Sequence, residues 1–480
     1  MKTSFFSIFV LVAIFGVVKP RLPVRSPTAY SSQQASQPAY FVIKNVNVIP
    51  MTSPGAVIIQ ASVVIRNGYI ESLNGAVTPE AVLIDGNGKW LIPGLIDMHV
   101  HTPTDFSLGP LVPTQPPDVT FNTQDIMTPF IANGVTTIVN LNANMDSFSQ
   151  RKEIQKGQVT GPRIALAALI NGGQGAGRRA NTAQAGRQAV RDAKAEGYEL
   201  IKLYSQLNIE TYVAIIDEAN KLGLKTVGHI PDAFGGKLRQ AFVPHFGMVA
   251  HAEEFSKQAN EFSDQEARRF ARLAKENGTW LSPTLTAMVR IAEQARSLDN
   301  LKRLPELAYI HPLLQSKWLT ANNYNQNTSP ERVAYFDKLV RFHGQLVRAF
   351  KQAGVPMVAG TDTGVSGVVG GFSLQDELAL LQQAGLTPEE VLLSATRLPA
   401  TWLGINAQVG TIEAGKWADL VLLEANPLDD IKNTRTITGV FVNGHWLAKA
   451  QLRAMLAELA NRNRASTDQF DWRKIMGNIK

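Results

Sequence analysis

Residues Leu95-Ile96-Asp97-Met98-His99-Val100-His101 carry an apolar run into two imidazoles one residue apart, and their reading sets the fold of the chain. Side chains of a β-strand alternate between faces, so His99 and His101 share one face. Working outward, the short apolar pattern returns at Val135 to Leu141, Arg163 to Ile170, Leu200 to Tyr204, Lys225 to Ile230, Met248 to Ala252, Thr279 to Ser282 and Val355 to Gly360. Segments of helical period lie between and after them: Thr182 to Ala195, Ile209 to Leu222, Asp264 to Lys275, Glu331 to Gln352 and Pro388 to Ser394, the last opening on a Thr387/Glu390 capping box. Eight near-continuous apolar strands alternating with helices predict an α/β fold, a (β/α)8 TIM barrel over residues 94–403, with an open doubly wound sheet as the alternative.

The barrel is flanked by two β-rich pieces. Residues 40–93 hold Phe41 to Val48, Val63 to Arg66 and Tyr69-Ile70 between Asn-Gly and Asp-Gly turns, and residues 404–450 hold Asp419 to Leu423 and Thr438 to Val442 before Asn443-Gly444. They are expected to join in a small composite β-sandwich, followed by a helical tail over 451–480. Upstream, Lys2 precedes fourteen uncharged, mainly apolar residues, Phe5 to Val18, and then Lys19-Pro20-Arg21. That run falls short of the roughly 20 residues a membrane span needs and suits a secretory leader. Residues 1–19 are read as a signal peptide and 20–39 as a flexible linker, which places the mature protein in the periplasm or outside the cell without stable membrane insertion. An uncleaved N-terminal membrane anchor is the alternative.

Composition removes several function classes. The 480 residues include no Cys, which excludes disulfides, thiolate zinc sites, iron–sulfur clusters and a cysteine nucleophile, so any transition metal must be held by His and carboxylates. The 47 basic against 40 acidic residues give a net charge of +7, but the basic side chains are scattered, which argues against nucleic-acid binding. A homo-oligomer stays open.

In such a barrel the chemistry lies at the carboxyl ends of the strands. The fifth and sixth strand ends contribute His229 and His251, and the eighth runs into Asp362. Four imidazoles and a carboxylate suit zinc and its transition-metal neighbours better than calcium or magnesium. On the fourth strand, alternation places Ile201 and Leu203 toward the helices and Leu200, Lys202 and Tyr204 toward the interior. A buried ammonium beside divalent cations is repelled strongly, so its charge must be removed or reversed. An amine that has added carbon dioxide becomes a carbamate, an anionic ligand with two oxygens. A lysine paired with a core carboxylate is the other reading of Lys202.

At this point the chain resembles the amidohydrolase superfamily in its binuclear-metal form. Residues 91–101 are similar to the opening strand of that family, and Ala414 to Val421 resembles its closing strand. Phe372 to Leu378 and Ala384 to Pro388 resemble the imidazolonepropionase-like subgroup that includes metallo-dipeptidases such as Xaa-Pro dipeptidases. The resemblance implies two divalent metal ions. His99, His101 and Asp362 would hold one and His229 and His251 the other, with Lys202, as N6-carboxylysine, bridging them. It also implies that a metal-bridged hydroxide attacks an amide carbonyl while Asp362 serves as general base and then acid.

Tyr204, Gln174 and Arg178 are the candidate substrate contacts, Gln174 standing near the place of a His in many relatives and Arg178 offering a carboxylate clamp. The surrounding Gly172 to Arg179 run lacks the Lys-Ser/Thr of a phosphate loop. His245, His311, His343 and His445 are read as structural. Asp232 follows His229 by three residues, where deaminase-type relatives carry Glu. The long segment 285–330 is expected to wall the active-site face. The function expected is hydrolysis of a small-molecule amide, a dipeptide or N-acyl amino acid. The alternatives are a cyclic-amide, deaminating or ester/lactone hydrolase on the same site, or a non-catalytic metal-binding pseudoenzyme.

Overall fold

A computed structural model describes residues 40–75, 78–105, 107 and 117–477, so the expected leader and linker lie outside the described residues. Sixteen strands follow in chain order: β1 (Tyr40–Val48), β2 (Ile58–Arg66), β3 (Tyr69–Leu73), β4 (Val82–Asp85), β5 (Trp90–Pro93), β6 (Leu95–Val100), β7 (Val135–Asn140), β8 (Arg163–Asn171), β9 (Arg178–Arg179), β10 (Leu200–Leu203), β11 (Lys225–Gly228), β12 (Met248–Ala250), β13 (Trp280–Ser282), β14 (Leu420–Leu423), β15 (Ile437–Val442) and β16 (His445–Ala448). The barrel strands β6, β7, β8, β10, β11, β12 and β13 pair in parallel in that order.

The eighth position departs from the sequence expectation. No regular strand forms over 355–360; instead, residues 356–363 close the barrel through single bridges, Met357 to Leu281 on one side and Thr363 to Val100 on the other. The reason lies in where the backbone donors go. Pro356 has none, the Ala359 N–H donates to the Ser394 carbonyl at 2.8 Å, and the Thr361 N–H donates to the Asp97 carboxylate at 3.0 Å. Gly360 is required here by close approach, since a Cβ would lie 2.6 Å from Ser282 Oγ and 3.0 Å from His99 Cβ.

Side-chain alternation sorts the barrel as expected. Leu200 packs inside with Ile96, Met98, Val227 and Met248, while Ile201 and Leu203 join the outer core under the helices. Ala400, Trp402 and Val409 complete the inner cluster from the amino ends of the strands, where Lys225, first residue of β11, donates to the Trp402 carbonyl. That closes the floor and leaves chemistry to the opposite mouth. The expected helices form where capping residues stand: Thr182, Asn208 and Ser263 each accept from a backbone N–H of the first turn, and Thr387 and Glu390 make the reciprocal box.

The chain ends meet in one continuous, mostly antiparallel sheet, β16-β15-β14-β5-β1-β2-β3 with β4 on β1, joined where β14 pairs with β5. A register shift in β1 around Asn45, whose φ is 55°, lets Phe41, Ile43, Val46 and Val48 all face one core despite the break in alternation. Segment 285–330 is a run of helices rather than a loop: Leu285–Arg296, Asp299–Lys302, Pro305–Tyr309 and Pro312–Thr320, with Leu301, Leu307 and Trp318 packed on Val369. The tail helix Lys449–Ser466 docks on it, Asn463 Nδ2 donating to the Ala308 carbonyl at 2.9 Å. No helix among the described residues is long and apolar enough to cross a membrane.

Phe441 of β15 is fully buried and meets Phe41 of β1 edge to face at 5.3 Å, joining the two chain ends. Phe441→Ala is therefore expected to destabilise the protein by about 3–5 kcal/mol, measured by urea unfolding; a change below ~1 kcal/mol would show that the composite sheet is not part of the cooperative fold.

Candidate metal centre

The first cluster forms where β6 meets the closing segment. His99 Nε2 and His101 Nε2 lie 3.2 Å apart, and both face the same oxygen, Asp362 Oδ1, at 3.2 and 3.0 Å. The donor atoms of His99, His101 and Asp362 all fall within 4.8 Å of one another. Asp362 reaches this point because its backbone is left-handed, with φ 60°, and its N–H is tied to the His99 carbonyl at 2.8 Å. Burial acts to raise the Asp362 carboxyl, but the His251 and His101 imidazoles and Lys202 overcome it and hold it at about 2.

The other two imidazoles extend the cluster in a row of aromatic contacts, His101–His99–His251–His229. His251 lies 4.6 Å from His99 and 5.1 Å from His229, centroid to centroid. Burial, reinforced by Lys202, holds His99 and His229 well below the ordinary histidine range; burial also brings His251 down to about 3. These rings are neutral, with a lone pair to offer. His229 Nδ1 meets Ser205 Oγ at 2.8 Å, and His251 Nδ1 meets Thr284 Oγ1 at 2.8 Å and lies 3.9 Å from Asp362 Oδ2, whereas His99 Nδ1 and His101 Nδ1 have no hydrogen-bond partner among the described residues.

Lys202 sits among them, 1% exposed, and its Nζ has no hydrogen-bond partner among the described residues. Burial lowers the amine to about 8, against the pull of Asp362 and Glu254. The alternative reading of a lysine paired with a core carboxylate is not what the structure shows; Glu254 instead accepts from Lys257 Nζ at 2.8 Å and from the Ile230 N–H at 3.0 Å.

Buried carboxylates behind the cluster were not assigned from sequence. Asp97 accepts from the His99 N–H at 3.2 Å and from Thr361 Oγ1 at 2.7 Å, stitching β6 to the segment that carries Asp362. Glu377 accepts from Leu285 N–H at 3.0 Å and Thr286 N–H at 2.7 Å. The available signal was an acidic residue in an otherwise apolar stretch, Asp97 inside its strand and Glu377 on the inner side of its helix.

The candidate substrate contacts divide. Tyr204 stacks on His229 at 4.3 Å, and burial followed by the nearby Asp362 carboxylate pushes its phenol up to about 12. Tyr324, from the helical insertion, is raised further by burial and then by Asp362, which places its phenol within the field of the same site. Gln174 is exposed on its loop. Arg178 forms a two-pronged pair with Glu196 and lies over the Tyr198 ring, so its guanidinium already has a carboxylate partner within the chain. Of the histidines read as structural, His343 is buried and bonded to Ser256 Oγ at 2.8 Å, and His311 caps the helix Pro312–Thr320.

Comparison with known proteins places this geometry in a family. The chain is 24% identical to the imidazolonepropionase of Pseudoalteromonas atlantica over 445 residues, covering 85% of this chain and 99% of the relative. It is 48% identical to that of Idiomarina loihiensis over 65 residues, a match spanning only 16% of that relative. The crystal structure of a Xaa-Pro dipeptidase with methionine bound in its active site shares the fold, with a TM-score of 0.64 at 22% identity, covering 85% of this chain and 100% of that one. The model of the amidohydrolase family matches residues 90–447, from β5 of the end sheet through the barrel to β16, and the chain belongs to that family of hydrolases.

Proposed function

We propose that this amidohydrolase cleaves the amide C–N bond of a small molecule of the dipeptide or N-acyl amino acid type. We assign two divalent cations, zinc first, to His99, His101 and Asp362 on one side and His229 and His251 on the other, with carboxylated Lys202 between them. The observation that carries the reading is the convergence of two imidazole nitrogens on one Asp362 oxygen, at 3.0 and 3.2 Å, beside a fully buried amine that bonds to nothing. These residues fit a cation pair: the buried rings are neutral, the carboxylate is ionised, and the lone amine lacks a partner only as long as it stays an amine. The Nζ lone pair forms a bond to the carbon of carbon dioxide as one C=O π pair moves onto oxygen and one N–H proton passes to water, which turns the unsatisfied donor into an anion with two acceptor oxygens.

When bound, such a pair acidifies a water toward neutral pKa and polarises the scissile carbonyl. The chain supplies the rest. Asp362, anionic and facing the cluster, accepts the proton of the attacking water and returns it to the departing amine nitrogen. The phenol of Tyr204, held in its protonated form, donates to the substrate from the mouth. The closed floor beneath Trp402 leaves the mouth as the route in. A second reading, opening of a ring amide, is supported by the 24% identity to the imidazolonepropionase of Pseudoalteromonas atlantica, matched over 99% of its length. Export is proposed from residues 1–19, and mass spectrometry of secreted material that retains Met1 would overturn cleavage.

Metal analysis tests the centre: about two zinc ions per wild-type chain, falling to one or none in Lys202→Ala, with activity lost in parallel; two ions retained in Lys202→Ala would sink the bridging role. Asp362→Asn is expected to lower kcat by about 10²–10⁴-fold. A panel of N-acyl amino acids, Xaa-Pro dipeptides and cyclic amides then assigns the substrate, and turnover of none of them would overturn the reading. Tyr204→Phe should reduce kcat/KM by up to about tenfold, the worth of one hydrogen bond; unchanged kinetics on the best substrate would reduce Tyr204 to a packing residue for His229.

A further inference from the structure

The helix Leu285–Arg296 begins in an unusual way. Thr284 stands at its N-cap, where a threonine hydroxyl ordinarily accepts a backbone N–H of the first turn, yet Thr284 makes no such bond. Its backbone is left-handed, φ 50° and ψ 48°, a conformation that a β-branched residue adopts only when its surroundings enforce it. Its hydroxyl is turned instead to His251 Nδ1 at 2.8 Å. The capping is done from another element. Glu377, fully buried on the helix Phe372–Gln383, places one carboxylate oxygen 3.0 Å from the Leu285 nitrogen and the other 2.7 Å from the Thr286 nitrogen. The helix N-terminus thus keeps an acceptor for its orphan donors while the threonine is released from that duty.

We propose that Glu377 is a positioning residue of the metal centre: by capping the helix in place of Thr284, it frees the threonine hydroxyl to hold Nδ1 of His251, which lies 3.9 Å from Asp362 Oδ2, and so fixes that ring beside the cluster. This inference rests on the metal-centre reading above. Partners that hold the outer nitrogen of a ligating histidine set its tautomer and orientation, and their loss weakens metal binding. A carboxylate is needed because both of its oxygens accept. In Glu377→Gln the amide nitrogen replaces one oxygen and faces a backbone N–H, donor to donor, which unseats the first turn and Thr284 with it.

The test is Zn²⁺ affinity by competition with a chromophoric chelator, on the full chain, with circular dichroism to establish folding. Glu377→Gln should bind one of two Zn²⁺ ions about 10–100-fold more weakly and the other as wild type. Thr284→Val should show the same one-site loss, Thr284→Ser should restore wild-type affinity, and Glu377→Gln combined with Thr284→Val should bind no more weakly than Thr284→Val alone. A purely structural role would lower thermal stability without singling out one ion. If Glu377→Gln does not fold, Glu377→Asp, which keeps both carboxyl oxygens and withdraws its reach by one methylene, must show the one-site loss. Wild-type affinity at both sites in either folded variant, or additive losses in the double variant, overturns the proposal. A wild-type chain that binds no Zn²⁺ overturns the metal-centre reading as well, whereas two tightly held ions in both wild type and variant remove only the role of Glu377.

Discussion

The structure turns on the seam where the first barrel strand meets the segment that closes the barrel. His99 and Asp362 must stand side by side, yet they are 263 positions apart in the chain, and nothing local brings them together. Asp97 does this work: buried between the two elements, it accepts from the backbone of His99, from the backbone of Thr361 and from the Thr361 hydroxyl. Burial raises the Asp97 carboxyl to about 7, so these hydrogen bonds are what hold the group in place. A regular eighth strand would have used the Thr361 N–H for ladder pairing. The irregular closure releases that donor to Asp97 and lets Asp362 take the left-handed turn that aims its carboxylate at the two imidazoles.

The same logic recurs behind the other imidazoles. His251, itself at φ 78°, is met by Thr284, and the ion pair of Glu254 with Lys257 sits beneath His229, with Glu254 Oε1 3.4 Å from His229 Nδ1. For His229 and His251, buried and neutral, the orientation comes from hydroxyls and a carboxylate one layer further out. These outer groups are deeply buried, and their carboxylates tie together elements distant in sequence: β6 with the closing segment, and helix 285–296 with helix 372–383.

Much of this is legible in the sequence. The alternation Leu200-Ile201-Lys202-Leu203 separated inward from outward side chains, and the inner and outer cores divide along that line. Capping residues marked helix starts because the cap is a local bond, complete within four residues. The helical insertion was less legible. Segment 285–330 is long for a connection, and length alone does not distinguish a lid loop from a packed helical layer whose partner, Val369, lies beyond the segment. The partner of Arg178 was not legible either: Glu196 stands eighteen positions on, beyond any local pattern, and only the fold brings the two together.

The sequence by itself determined the strand and helix periods, the absence of thiol chemistry and the residue types able to hold a cation, because each depends on side-chain chemistry or on spacing within a single element. The tertiary structure alone decided how the barrel closes, which nitrogen of each imidazole is already engaged, and which buried carboxylates hold the cluster. Those depend on where backbone donors from remote segments find acceptors, and a hydrogen bond between distant segments leaves no periodic trace in the chain that makes it.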